Sequence, residues 1–124
     1  MSDELRAAFA ALYEAACEQR DADAIVAAFA PDDDVTLMGS DEEERAVGRE
    51  ELRALAEAIA SGPRFRFEWS EQQFHVEGDV AWVNAAGVLA VDDGRVPYRV
   101  TGVFVRRDRR WLWHTHHGSA PKPS

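Results

Sequence analysis

The histidine nearest the end of the chain is the side chain best suited to move a proton. Histidine titrates near neutral pH, so His117 is a candidate acid or base. Alternation along a strand places His117 on the same face as Trp111 and Trp113. His117 either lines a site on that face or is a buried histidine that anchors the end of the last strand. The second interpretation is simpler, because the sequence shows no carboxylate that would orient the ring.

Two further histidines, His114 and His116, have the spacing of a metal-binding pair. On a strand, such residues lie on one face about 7 Å apart, which is compatible with one shared metal ion. The pair needs a third ligand, which His75 or an Asp at a strand end could supply, but no pattern indicates one. We therefore interpret the pair as facing solvent or a second subunit, and we predict neither a metal site nor a cofactor.

Polar side chains also interrupt two apolar strands. Arg99 and Thr101 share one strand face, where an arginine could hold a carboxylate or phenolate of a ligand. Alternatively, Arg99 pairs with an acid from a helix, or keeps its charged end in solvent. Asn84 either lines a cavity or bridges two backbones. We count all three residues as candidate cavity lining.

Acidic residues and the single cysteine offer little chemistry. The acidic runs at residues 32–34 and 41–44 lack the alternating ligands and central glycine of a calcium loop. We interpret them as solvated loops. Cys17 lies near the apolar side of a predicted helix with no base close in sequence, which favours a packed thiol over a nucleophile.

Composition limits the possible partners. The chain has 124 residues, and its 23 Asp and Glu against 14 Lys and Arg give a net charge of -9. Nucleic acid and anionic membranes need a basic surface, so we expect neither as a partner. One cysteine cannot form an internal disulfide, and we find no signal peptide or membrane-spanning segment, so the prediction is a cytoplasmic protein.

The elements that must position these residues form an α+β pattern, with helices on one side of an antiparallel sheet. Helical spacing covers residues 3–19, 21–30 and 49–60, and a short strand covers residues 34–38, followed by a charged loop at residues 39–46. Four long consecutive antiparallel strands follow at residues 65–77, 80–91, 95–107 and 110–117. Residues 1–119 form a single domain, and residues 120–124 are a loose tail.

One strand indicates a second subunit. Both faces of the strand at residues 80–91 are apolar, so the face turned away from the helices must also leave water. Either the sheet edge curls over the core, or two copies of the chain pair through this face. We favour a homodimer through the sheet face, because exposed apolar sheet faces are normally covered.

This order of elements resembles the nuclear transport factor 2-like superfamily, and more closely its SnoaL-like branch. The resemblance covers nearly the whole chain and implies three helices on a strongly curved sheet, a cystatin-like cone with a central cavity, in a dimer. Because members have different activities, the resemblance implies no single function. It is carried by residues 20–25 (RDADAI), 29–32 (FAPD), 47–52 (VGREEL), 78–82 (GDVAW) and 103–107 (VFVRR), with Trp111, Trp113, His117, Gly118 and Ser119.

Ketosteroid isomerases share the fold that the resemblance implies, and they use an Asp base with a Tyr and a protonated Asp at the enolate oxygen. Their oxyanion tyrosine corresponds to Tyr13. The position of their base corresponds to Leu37, and that of their protonated Asp lies near Thr101. Only one of the three catalytic groups, the tyrosine, is therefore present in this chain. A histidine shortly before a final serine is common in the SnoaL-like branch, and His117 matches it.

We therefore predict a protein that binds a small hydrophobic molecule in an apolar cavity. The alternative is an isomerase, cyclase or lyase acting on a small hydrophobic carbonyl compound, with His117 as acid or base and Tyr13 as oxyanion donor. A weaker alternative is a pure dimerisation module. The predicted lining is Tyr13, Asn84, Arg99, Thr101, Trp113 and His117.

Overall fold

Three α-helices and six strands follow one another along residues 2–123, the part of the chain described by the structure, a computed structural model. Met1 and Ser124, the ends of the predicted domain and tail, lie outside the described residues. None of the described helices is long and apolar enough to cross a bilayer. The helices are α1 (Ser2–Tyr13), α2 (Ala22–Ala27) and α3 (Arg49–Ser61), and the strands are β1 (Thr36–Met38), β2 (Arg45–Val47), β3 (Arg66–Glu77), β4 (Val80–Val91), β5 (Gly94–Arg107) and β6 (Arg110–Ser119).

The six strands form one curled sheet in the order β2-β1-β6-β5-β4-β3. The four long strands pair antiparallel in sequence, as predicted. Two details correct the sequence prediction. The end of the predicted charged loop contains β2, in which Ala46 is buried and pairs with Leu37. In addition, β1 pairs with β6 in parallel, so the sheet is not wholly antiparallel.

The first predicted helix continues past Tyr13 as a π-helical segment, Glu14–Gln19. It ends at Arg20, which adopts a left-handed backbone conformation with φ 56°. Asp21 then begins α2 by accepting hydrogen bonds from the backbone of Asp23 and Ala24, which satisfies amides that the helix leaves free.

The π-helical segment Glu14–Gln19 is an unusual element, because π-helical turns are rare and often occur at functional sites.

A β-bulge interrupts the ladder between β5 and β6. Val103 pairs with Thr115, and Phe104 pairs with Trp113, so His114 is an extra residue within β6. An extra residue bends its strand and changes the faces to which the following side chains point. The bend contributes to the curl of the sheet.

The bulge reverses the predicted alternation at the end of β6. Trp113 and His116 are both buried, whereas His117 is exposed. The prediction that Trp113 and His117 share a face was therefore wrong, because strict alternation does not hold across an inserted residue. A second bulge lies in β3 between Trp69 and Glu71.

Trp113 occupies the centre of the core between helices and sheet. Its ring lies 4.3 Å from that of Phe104 and 5.6 Å from that of Phe9, measured between centroids. Its indole nitrogen donates a hydrogen bond to the carbonyl of Ala8 in α1, 3.2 Å away. These contacts fill the space under the middle of the sheet, and they fix α1 against β6.

The close approach of Trp113 to β5 requires a glycine. A methyl group at Gly102 would lie 2.4 Å from the Trp113 ring and 2.7 Å from the Thr115 carbonyl. We expect Gly102→Ala to lower the free energy of unfolding by about 1–3 kcal/mol, the usual cost of overpacking a core. Urea unfolding followed by fluorescence measures the change.

Gly94→Ala in the same strand is the matched control, because nothing lies within 4 Å of its added methyl group. We expect it to stay within about 0.5 kcal/mol of the parent. Equal losses in the two variants would contradict the proposed packing of Trp113.

Candidate functional site

An open cleft of about 860 Å³ lies between α1 with its π-helical extension and the β3 edge of the sheet. Its volume falls within the range of pockets that hold small molecules. The cleft lies beside the filled core rather than at its centre. Its lining comprises Arg6, Phe9, Ala10, Tyr13, Glu14, Cys17, Glu18, Arg64, Phe65, Arg66, Phe67, Trp69, Gln72, Ala90, Val91 and Asp92.

Aromatic rings form much of the cleft wall. The rings of Phe67 and Trp69 are stacked, with centroids 5.0 Å apart and planes 9° apart. The Tyr13 ring meets both of them from α1, at 5.1 Å and 5.2 Å. Phe67 and Trp69 in β3, and Phe65 directly before it, alternate with Arg66 and Glu68 and pack against the core. The result is a preformed aromatic surface.

A buried hydrogen bond connects the cleft to the core. The Tyr13 hydroxyl lies 2.9 Å from Nε2 of His116, a residue 103 positions later in the chain. Tyr13 lines the cleft, whereas His116 is buried behind it and contacts Trp113, with ring centroids 5.0 Å apart. The π-helical segment begins directly after Tyr13. This pair is the chief polar feature among the aromatic rings.

Burial keeps both members of the pair neutral. It lowers the pKa of His116 to about 4. Burial, with smaller effects from Tyr98 and Cys17, raises the pKa of Tyr13 well above its ordinary value. If Nε2 of His116 carries the imidazole proton, it donates to the oxygen of Tyr13, and the phenol proton is free to bind a ligand. In the other tautomer, the Tyr13 hydroxyl donates to Nε2, and its oxygen lone pairs are free to accept a hydrogen bond from a ligand.

The second imidazole nitrogen of His116, Nδ1, is buried, and no group of residues 2–123 forms a well-aligned hydrogen bond with it. Backbone groups of Met38 and of His116 itself nevertheless raise the pKa of the imidazole and partly offset the effect of burial. Burial is the largest of these effects, so the ring is held in its neutral form.

The charged residues around the cleft balance one another. Three arginines and three acids occur among the lining residues, so the cleft has no marked preference for ligand charge. Cys17 also lines the cleft, and burial raises the pKa of its thiol to about 11. Cys17 is therefore a thiol at neutral pH, in agreement with its interpretation as a packed side chain.

Of the six predicted lining residues, only Tyr13 lines the cleft. Trp113 lies in the core. Asn84 pairs with Thr101, and Thr101 pairs with His117, so these three residues form one row across the outer face of the sheet. All three are exposed, as is Arg99 on the same face of β5. They lie on the face opposite Tyr13, and the structure does not bring them to the cleft.

The sequence interpretation missed His116 as the partner of Tyr13. It placed His116 with His114 on a solvent or subunit face, but the bulge at His114 turns His116 into the core. His114 instead lies 2.9 Å from Asp34. No residue pattern within β6 signals the bulge.

Comparison with known proteins identifies the fold. The sequence model of the SnoaL-like domain family matches residues 5–123 of the chain. A search of the curated proteins finds no match.

Solved structures agree with this match. An NTF2-like protein of unknown function from Pseudomonas putida is 22% identical, with a TM-score of 0.81 over 98% of this chain and 87% of that one. A putative dehydratase of the NTF2-like family from Streptomyces avermitilis is 24% identical, with a TM-score of 0.82 over 98% and 96%. A putative calcium/calmodulin-dependent protein kinase type II association domain from Thiobacillus denitrificans is 25% identical, with a TM-score of 0.81 over 94% of each chain. These similarities describe a shared fold.

The depressed pKa of His116 predicts acid sensitivity. The unfolded chain binds a proton on His116 below pH 6.5, whereas the folded chain resists protonation down to a pKa of about 4. Stability is therefore lost as the pH falls through this window, by about 3 kcal/mol for this group. Urea unfolding at several pH values measures the loss.

His116→Gln should remove this part of the pH dependence, and His117→Gln at the exposed neighbouring position should keep it. Comparing the two variants removes the contribution of the carboxylates, which also titrate in acid and are the same in both proteins. Equal pH profiles for His116→Gln and the parent would show that His116 is not buried in the neutral form.

Proposed function

The chain belongs to the SnoaL-like domain family, and on that premise we propose that it binds a small, largely apolar molecule in the cleft between α1 and β3. The observation that carries the proposal is the aromatic cleft itself, of about 860 Å³, with Tyr13 in its wall. Ligand sites combine mostly apolar walls with a few fixed polar groups. The pair of Tyr13 and His116 supplies such a group.

The wall favours a flat ligand. The rings of Phe67 and Trp69 stack on each other, and the Tyr13 ring meets Phe67 edge-to-face and Trp69 at an angle of 59°. A conjugated or aromatic ligand packs against such rings in offset or edge-to-face geometry. A single carbonyl or hydroxyl oxygen on the ligand would exchange a hydrogen bond with Tyr13.

Binding is favoured over catalysis by the state of the histidine. His116 has a pKa of about 4 and its Nε2 already contacts Tyr13, so it is a weak base at neutral pH. The second candidate function is an isomerase, cyclase or lyase that acts on a hydrophobic carbonyl compound. The position of the Tyr13 hydroxyl in the cleft wall favours it, as does the putative dehydratase among the similar structures. His117, the predicted acid or base, is exposed on the outer face and cannot reach Tyr13 from there.

We also propose that two copies of the chain pair through the outer face of the sheet. Trp82 and Val80 in β4 are each 40% exposed on that face. Large apolar side chains exposed on an open sheet face favour contact with a partner. The polar row of Asn84, Thr101 and His117 crosses the same surface and would supply hydrogen bonds within the contact.

Filling the cleft tests the ligand proposal. Ala10 lies in α1 and lines the cleft, so Ala10→Trp should occupy it. Anilinonaphthalene sulfonate, a fluorescent aromatic probe of apolar clefts, should bind the parent and bind the variant at least about tenfold more weakly. Native mass spectrometry of protein purified from cells then shows whether a small molecule is bound. The mass of that molecule after incubation with the protein shows whether it is chemically unchanged.

Ala54→Trp is the matched control, because Ala54 is exposed on α3 and does not line the cleft. It should bind the probe like the parent. Equal probe binding by all three proteins would refute the cleft as the ligand site. Recovery of an altered molecule after incubation with the purified protein would favour the second candidate function.

Light scattering tests the dimer. We expect the mass of two chains for the parent, and a dissociation constant at least about tenfold higher for Thr101→Glu, which sets like charges across the contact. Ala58→Glu, which adds the same charge to the exposed face of α3, should leave the dimer intact. A parent with the mass of one chain would exclude this contact.

A further inference from the structure

We propose that Asp32, Asp34 and His114 form a binding site for a first-row divalent transition-metal ion such as Zn²⁺. None of the three residues lines the cleft between α1 and β3. The inference is independent of the ligand proposal, and either can fail without the other.

The donor atoms of the three side chains converge. One atom from each residue lies within 4.8 Å of the others. Nε2 of His114 is 2.9 Å from Oδ1 of Asp34 and 4.0 Å from Oδ2 of Asp32. Zinc binds nitrogen and carboxylate oxygen at about 2.0–2.2 Å, so ligand atoms around one ion lie about 3–3.5 Å apart. An ion bound by all three residues therefore requires the Asp32 carboxylate to move closer to His114.

The fold creates this convergence from distant parts of the chain. Asp32 and Asp34 lie in the loop between α2 and β1, 80 residues or more before His114. Parallel pairing of Thr36 with Thr115 brings that loop beside β6. The bulge then removes His114 from the regular ladder and frees its ring to reach the loop. Bulges are frequent beside functional sites.

Neighbouring groups already orient two of the three ligands. Nδ1 of His114 lies 2.8 Å from the Thr115 hydroxyl, which leaves Nε2 directed to the acids. Metal-binding histidines usually have such a partner on the second nitrogen. Arg107 contacts both oxygens of Asp32, at 3.2 Å and 2.7 Å. Arg107 both orients this carboxylate and competes with a cation for it.

The donor set determines the class of ion. One imidazole and two carboxylates suit zinc, cobalt, manganese or iron, whereas magnesium and calcium prefer oxygen alone. The side chains of His114 and Asp32 are each 21% exposed, and that of Asp34 is 80% exposed. The site is therefore open, with room for water as the remaining ligands.

Calorimetry with zinc chloride tests the site in chelator-treated, tag-free full-length protein. We expect one zinc ion per chain at micromolar affinity and no binding of magnesium. His114→Gln and Asp34→Asn should each weaken binding at least about tenfold. His117→Gln and His75→Gln, at exposed histidines outside the cluster, should leave the affinity unchanged. The visible spectrum of the cobalt-loaded protein should show imidazole-dependent bands that His114→Gln removes.

A fifth variant separates a metal site from an ordinary ion pair. Arg107→Gln frees Asp32, so it should tighten zinc binding if Asp32 is a ligand. The absence of saturable zinc binding at micromolar concentrations would overturn the proposal. So would zinc binding that survives His114→Gln, or that weakens equally in His117→Gln, because the ion would then lie elsewhere.

Discussion

The extra residue at His114 is the constraint on which both candidate sites depend. In a regular ladder, side chains of β6 would alternate without interruption, and Trp113 could not share the inner face with His116. The bulge allows both to be buried, so that the imidazole reaches Tyr13 on α1. The side chain of the inserted residue, His114, lies on the outside and contacts Asp34 in the loop before β1. The bulge therefore determines contacts both in the interior and at the surface.

The interior pairing links the helical layer to the sheet at two adjacent points. Trp113 donates to the backbone of α1, and His116 contacts the hydroxyl of Tyr13. Because both contacts start from β6, the position of Tyr13 beside the cleft is set by the sheet and not only by its own helix. The cost of this arrangement is the burial of a polar imidazole, which lowers the pKa of His116 to about 4.

Much of the fold follows from residue patterns, and the site follows only in part. Alternation in β4 predicts that Ala81 and Val83 share one face and that Trp82 lies on the other, in agreement with the burial of the first two residues and the exposure of Trp82. The periodicity of α3 is equally clear. The strand β2 is too short and too charged to be distinguished from a loop, since only Ala46 is buried in it.

The assignment of β6 faces could not be predicted, because an inserted residue leaves no compositional trace and reverses every face after it. The family resemblance identifies Tyr13, whereas alternation assigns His116 to the other face because of the bulge. Asn84, Thr101 and His117 form a row on the outer face. Alternation groups such residues without saying which side meets the helices.

The position of β3 at the edge of the sheet has a consequence for solubility. This strand pairs on one side only, with β4, so its other side presents free amides and carbonyls that could recruit a foreign strand. The irregularity between Trp69 and Glu71 breaks that run, and Arg66 and Glu68 place charge along it. The bulge and these charges both oppose the pairing of a foreign strand with this edge.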